Sequence, residues 1–297
     1  MLGVLLMKWG CRAAARRRNR GFAEKESCLR DVAYADGLTA DVWRPEKADR
    51  DQLPAVFYVH GGAFVAGDKR DFDGYCERLC SEGYSVINLN YTLSPKAVHP
   101  QAVGEILCAV SFFLSQAEQY GLDRERYLLA GDSAGAFLAL AAGTVISNPA
   151  YLPEFQPHVN FSREGLCGLM LFCGAFSLES ALGSGFPFLR EYISAYAGQR
   201  DLGAYLKSKA YEAADPNRFL TAALPACFLA VGAGDKFLIE AKALSRRLQQ
   251  VGCRVTLYIE EAPEAAHEFH SYLDRPEAQR CFEATLRFLD HCKENDT

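Results

Sequence analysis

The chain has 297 residues, 49% hydrophobic and 23% charged, which is enough apolar material for a substantial core and excludes a disordered or low-complexity protein. Its net charge of −5 is unevenly spread: residues 1–20 contain Lys8, Arg12, Arg16, Arg17, Arg18 and Arg20 and no acid, so this leader carries +6 and the remainder −11. Eleven cysteines, odd in number and without a Cys-x-x-Cys pair, argue against a disulfide framework or a metal site; Cys76 and Cys80 read as apolar fillers of one helix.

Residues 1–28 are expected to be helical and amphipathic. Met1 to Met7 is too short to span a membrane, and its charges follow the apolar part, which is the wrong order for a secretory signal. The leader is read as a solvated helix face, with peripheral membrane contact as the other reading; no nucleic-acid partner is expected, and the protein is expected in the cytoplasm. Next, Asp31–Pro45 reads as two strands around Asp36-Gly37, and Ala55–Val59 as a buried strand. A helix over Phe72–Glu82 precedes a strand over Tyr84–Leu89, and a longer helix over Gln101–Tyr120 precedes a strand over Tyr127–Ala130. A small-residue helix then leads to a strand over Gly168–Phe172. This alternation predicts an α/β chain with a mainly parallel sheet flanked by helices. It lapses over about 174–224, where helices near Phe188–Ala197 and Leu202–Ala213 are expected, and this insertion after the sixth strand is placed to cover a site. It resumes with Ala226–Val231, a helix from Leu238 to about Gln250, a strand over Arg254–Ile259 and a helix over Pro276–Cys292. One domain over 1–297 is expected, with lid elements at about 1–28 and 174–224.

Chemistry concentrates at Gly131-Asp132-Ser133-Ala134-Gly135, between strand and helix. Glycines two before and two after Ser133 make room for a sharp elbow that lifts its hydroxyl clear. A serine needs a base, and the base an acid to orient it. Asp235 ends a late strand through Val231-Gly232-Ala233-Gly234, although it could simply cap the following helix; Asp215 and Glu240 are weaker candidates. His267 follows the last strand and is the expected base, with His270 on the pocket wall. His60, His99, His158 and His291 read as structural or exposed. Donors for a developing oxyanion are expected from Gly61 and Gly62 in Tyr58–Phe64 and from the amide of Ala134. Phe64, Asp132, Phe137, Phe176 and Phe237 are further pocket candidates, and Phe186, Phe188, Tyr192 and Tyr196 could join them.

With His60-Gly61-Gly62-Ala63-Phe64 and the elbow, Asn90–Pro95, His99-Pro100, Gly121-Leu122-Asp123 and His267-Glu268-Phe269 make the chain resemble an α/β-hydrolase of the hormone-sensitive-lipase-like esterase family over nearly its whole length. The resemblance implies Ser133 as nucleophile, His267 as general base and acid, Asp235 as its orienter, Gly61, Gly62 and Ala134 as oxyanion donors, and a helical lid. It departs at Ala63 and Ala136, where the family carries glycine, at Asp215-Pro216 in place of Ser-Pro, and at Glu268 in place of glycine. The expected reaction is hydrolysis of small carboxylic esters with short to medium acyl chains through an acyl-serine, with no metal or organic cofactor. An amide hydrolase, as aryl-formamidase or peptidase, is the alternative, and a non-catalytic ligand receptor a further one. Oligomeric state is not legible.

Overall fold

The computed structural model describes residues 2–22, 28–45 and 53–294. Helix α1 (Leu2–Arg18) precedes the antiparallel pair β1 (Cys28–Ala35) and β2 (Leu38–Trp43), joined by the turn at Asp36-Gly37. The expected leader helix therefore ends ten residues early, and Cys28 already belongs to a strand; residues 23–27 of the expected lid lie outside the described residues. Then follow β3 (Leu53–Val59), α2 (Asp73–Ser81), β4 (Ser85–Leu89), α3 (Gln101–Ser115), α4 (Ala117–Tyr120), β5 (Leu122–Asp132), α5 (Ala134–Ser147) and β6 (Leu166–Phe172). The single helix expected over 101–120 breaks at Gln116, and α4 ends on Gly121 in the left-handed region. The strand before Ser133 is much longer than expected.

Four short helices fill the next stretch: α6 (Leu178–Ala181), α7 (Leu189–Ala197), α8 (Leu202–Tyr205) and α9 (Lys209–Ala214). The helix expected over 202–213 is thus two, because Ser208 caps a new start by accepting from the amide of Tyr211. β7 (Ala226–Gly232), α10 (Leu238–Gln250), β8 (Val255–Glu260) and α11 (Pro276–Glu294) complete the chain.

The eight strands lie in the order β1-β2-β4-β3-β5-β6-β7-β8, parallel from β4 onward. The continuous apolar runs of β3 and β5 are buried on both faces, as a parallel sheet between helix layers requires. One apolar layer is made with α3, α5 and α10, the other with α2 and α11. Cys76 and Cys80 pack in the second layer, and no disulfide forms among the described residues. The chain moves outward from β3 to β4, then returns to β5 on the other side. The β3/β5 carboxyl edge is therefore the switch point of the sheet, where loops diverge and leave a crevice. Val59 pairs with Gly131, so these strands end level and the loop after β3 meets the elbow after β5.

Candidate active site

Ser133 sits at φ 51° and ψ −115°, a conformation that side chains avoid. The packing around it enforces this: a Cβ on Gly135 would collide with the Val59 carbonyl, and one on Gly131 would lie 2.6 Å from the Gly135 backbone. A serine at the start of a helix ordinarily caps it. Here the hydroxyl makes no cap, and its Oγ stands 3.0 Å from Nε2 of His267. On the other side of the ring, Nδ1 of His267 is 3.0 Å from Oδ2 of Asp235. Oδ1 of the same carboxylate accepts from the amide of Phe237 at 2.8 Å. Asp235 therefore orients the imidazole and braces the turn before α10, whose N-cap is Phe237 without a side-chain cap. Its two weaker rivals are spent elsewhere. Glu240 accepts from the Ser177 amide and the Ser180 hydroxyl, tying α6 to α10, and Asp215 caps the turn after α9.

The loop amides depart from expectation. The Gly61 N–H donates to Oδ1 of Asp132 at 3.0 Å, which removes it as an oxyanion donor. The amides of Gly62 and Ala63 have no acceptor among the described residues, and both residues face Ser133 across one cavity. The first-turn amide of Ala134 is likewise outside the helical ladder. Ala63 has φ 54°, a left-handed conformation that suits the glycine it replaces. His60 braces this loop from below: its Nδ1–H donates to the Gly61 carbonyl at 2.8 Å, and its ring stacks on Tyr91 at 4.6 Å.

The cavity at Ser133 has a volume of about 160 Å³. Its base is Gly62, Ala63, Ser133, His267 and Glu268; its roof is Met7, Gly10, Cys11 and Ala14 of α1, with Phe186 at one side. Of the expected pocket candidates, only Phe186 lines it among the described residues. Phe64 stacks on Tyr196 at 4.0 Å and meets Phe137 edge-on, all three buried in the core beneath the loop. Phe176 is buried against Gly174. Phe237 instead stacks on Phe186, and the two rings both lie edge-on to His267 at 5.4 Å. His270 stacks flat on Phe172 at 4.3 Å in the opposite layer, where burial holds its pKa down to about 3. It stays neutral and away from the reacting atoms.

Asp132, expected on the pocket wall, is fully buried beneath the Gly61–Ala63 loop. Burial, the charge of Glu268 and a side-chain hydrogen bond to Glu268 push its pKa well above the usual carboxylate range. Glu268 goes the other way. Burial works against its charge, but Arg18, 3.2 Å away, and His267 outweigh that and hold its pKa below the ordinary value. One proton is thus shared out between two close carboxyls, with Glu268 as the anion and Asp132 as the acid. Arg18 also lies over the Phe72 ring at 4.1 Å. Sequence reasoning noted Glu268 as a departure and Arg18 as one of six leader cations; nothing local announced that they meet. For His267 itself, burial disfavours protonation, yet the Asp235 hydrogen bond and charge, reinforced by Glu268, raise its pKa above 6.5.

Cys173 lies beside Asp235 and His267, with the three potential ligand atoms within 4.8 Å of one another. Burial pushes its thiol far above the usual range, so it offers a neutral sulfur to a carboxylate and an imidazole already bonded to each other. That is a poor donor set for a resident metal.

A parallel sheet with its switch point at β3/β5, a serine on a strained elbow, and an aspartate-oriented histidine reached from two later strands define an α/β-hydrolase of the serine type. The BD-FAE family model matches residues 40–249, and the chain belongs to that family and to the hormone-sensitive-lipase-like esterases its motifs resemble. It is similar to the acetyl esterase of Salmonella choleraesuis (strain SC-B67), 29% identical over 261 residues, covering 83% of this chain and 73% of that one. Among solved structures, esterase B from Lactobacillus rhamnosis shares the fold with a TM-score of 0.84 at 23% identity, over 99% of this chain and 96% of that one. The hyperthermophilic esterase from the archaeon Pyrobaculum calidifontis does so with a TM-score of 0.74 at 21% identity, over 97% and 91%. No helix among the described residues is long and apolar enough to cross a membrane.

Proposed function

We propose that this protein hydrolyses carboxylic esters of short acyl chain, with Ser133 as nucleophile, His267 as proton shuttle and Asp235 as its orienting acid. The observation that carries the reading is the unbroken chain Oγ–Nε2 and Nδ1–Oδ2, each link 3.0 Å, beside two unspent loop amides. In this scheme His267 takes the proton of Ser133 as the hydroxyl attacks the ester carbonyl. The imidazolium that forms is held by Asp235, and Gly62, Ala63 and Ala134 donate to the developing oxyanion. His267 then passes the proton to the departing alkoxide. Water repeats the sequence in reverse and releases the acid.

The chain-length reading rests on volume. A cavity near 150 Å³ accommodates a ligand of about six heavy atoms, the scale of an acetyl to butyryl group with the ester oxygens. The acetyl esterase relatives support the same class, and esterase B of Lactobacillus rhamnosis has been solved with a tributyrin phosphonate inhibitor. The roof over Ser133 is apolar, from Met7, Cys11 and Ala14. Burial lifts the Cys11 thiol to about 12, so it stays uncharged there.

The test is a rate panel of aryl esters of increasing acyl length with matched aryl amides, using Ser133→Ala as the blank. The expected result is a maximum at acetate to butyrate, amides slower by orders of magnitude, and loss of about 10⁴-fold or more in the variant. Amides turned over as fast as esters would move the assignment to an amidase. Unchanged ester turnover in Ser133→Ala would remove the assignment altogether.

A further inference from the structure

Helix α1 presents two unlike faces. Val4, Met7, Cys11, Ala14 and Arg18, spaced three and four apart, turn toward the body of the protein. On the opposite face, Leu2, Leu5, Leu6 and Trp9 form a second stripe at the same spacing, and they are 64, 58, 49 and 77% exposed. Phe188, 44% exposed, lies against Gly3 and extends this apolar end. The other exposed large hydrophobics among the described residues, Leu29, Val98 and Ile239, lie outside α1. Isolated exposed leucines need no explanation, but a contiguous stripe with a tryptophan does.

The second half of the same outward face is cationic. Arg12, Arg16 and Arg17 are exposed, Arg20 is exposed in the turn just past the helix, and no acid occurs in residues 1–20. Polarity is therefore sorted along the helix axis, apolar at the start and basic at the end, with Trp9 at the boundary. A lipid surface is layered in that order, with acyl chains, then a belt suited to tryptophan, then phosphates. A nucleic acid would use the arginines and leave the leucine stripe in water. A protein partner would need matched shape, whereas a bilayer needs only depth. The rest of the chain carries −11, so an anionic surface would attract this end alone and orient the molecule. At 17 residues the helix is about 25 Å long, short of a span and suited to tilted, shallow insertion.

We infer that the exposed face of α1 and the turn after it dock on an anionic lipid surface, Leu2, Leu5, Leu6 and Trp9 entering the acyl boundary while Arg12, Arg16, Arg17 and Arg20 meet the phosphates. The inference makes no use of the hydrolase reading.

The full chain is mixed with vesicles of phosphatidylcholine alone or with one quarter phosphatidylserine, and both co-sedimentation and tryptophan emission are read. Trp43, the only other tryptophan, is fully buried, so Trp9 dominates any shift. Expected are co-sedimentation and a blue shift with anionic vesicles, both weakened by high salt. Trp9→Phe should abolish the shift while binding persists. Leu5→Asp with Leu6→Asp should weaken binding at least tenfold, and Arg12→Gln, Arg16→Gln and Arg17→Gln together by roughly fivefold per cation. Unchanged circular dichroism and thermal melting confirm that these surface variants fold. Absence of binding to anionic vesicles overturns the inference, as does binding that the leucine and arginine changes leave intact. So does self-association or nucleic-acid binding through this face with no vesicle binding.

Discussion

The floor and the roof of the cavity are built differently. The floor hangs from β3, β5 and α5, where Val59, Leu129 and Ala130 are fully buried and thirteen of the fourteen α5 residues are buried. The roof is α1, in which Gly3 alone is buried. Among the described residues it is tied down by a few polar contacts: the Gly3 amide to Glu191 at 3.3 Å, the Tyr192 hydroxyl to the Gly3 carbonyl at 2.9 Å, and Arg18 to Glu268. A close-packed floor holds reacting atoms in one geometry, which is what oxyanion and proton-transfer chemistry requires. A roof held by a handful of contacts can vary in sequence and position, so changes to the floor should appear in kcat and changes to the roof in KM and selectivity.

The largest expected effect tests the floor. Asp235→Asn should lower kcat/KM by about 10³ to 10⁴-fold, because the imidazole loses its oriented tautomer and its counter-charge. The pH profile gives a second readout. His267 must be neutral to act as base, so activity rises with pH through its pKa, which Asp235 and Glu268 hold above 6.5. The acid limb should therefore fall at higher pH than for an ordinary histidine and move down in Asp235→Asn. A limb that does not move would separate Asp235 from the titration.

Gly135→Ala should come next, since its Cβ would drive into the Val59 carbonyl with no side chain able to yield. A loss of about 3 kcal/mol in urea unfolding is expected, with kcat reduced because the elbow moves. Full stability would mean the elbow is softer than its packing implies.

Arg18→Gln addresses the roof. Glu268 loses its cation, and α1 loses its ion pair to the loop bearing His267. The expected signature is a several-fold higher KM, faster proteolysis within the leader, and kcat within about threefold. A collapse of kcat instead would show that roof and floor act as one unit.

The smallest effect is a shift of preference. Cys11→Phe should narrow the cavity and move the optimum toward acetate by roughly tenfold relative to butyrate.

The constellation was readable because each of its members follows a strand in a local pattern. Ser133 stands between glycines two residues away on either side, Asp235 follows Gly-Ala-Gly, and His267 follows the last strand. In a parallel sheet such strand ends gather at one edge, so knowing the chain order is nearly enough to know that they meet. The donor set was not readable to the same degree. Gly61 and Gly62 look alike in sequence, and only the register of Val59 against Gly131 sets the Gly61 amide on Asp132 and leaves the amides of Gly62 and Ala63 unspent.

Most of the aromatic candidates went astray for a related reason, Phe186 alone reaching the cavity among the described residues. Phe64, Phe137 and Phe176 carry no mark that separates core from cavity, and close packing of the helix layer consumed them, while four small or flexible residues of α1 formed the roof. Sequence alone determined the elbow, the order of serine, acid and histidine, and the alternation that makes the sheet, because these depend on neighbours within a few residues. Tertiary structure decided which amide, which carboxyl and which face of the first helix remain available. That depends on what each group has already bonded to across more than a hundred residues of chain, as Arg18 and Glu268 do.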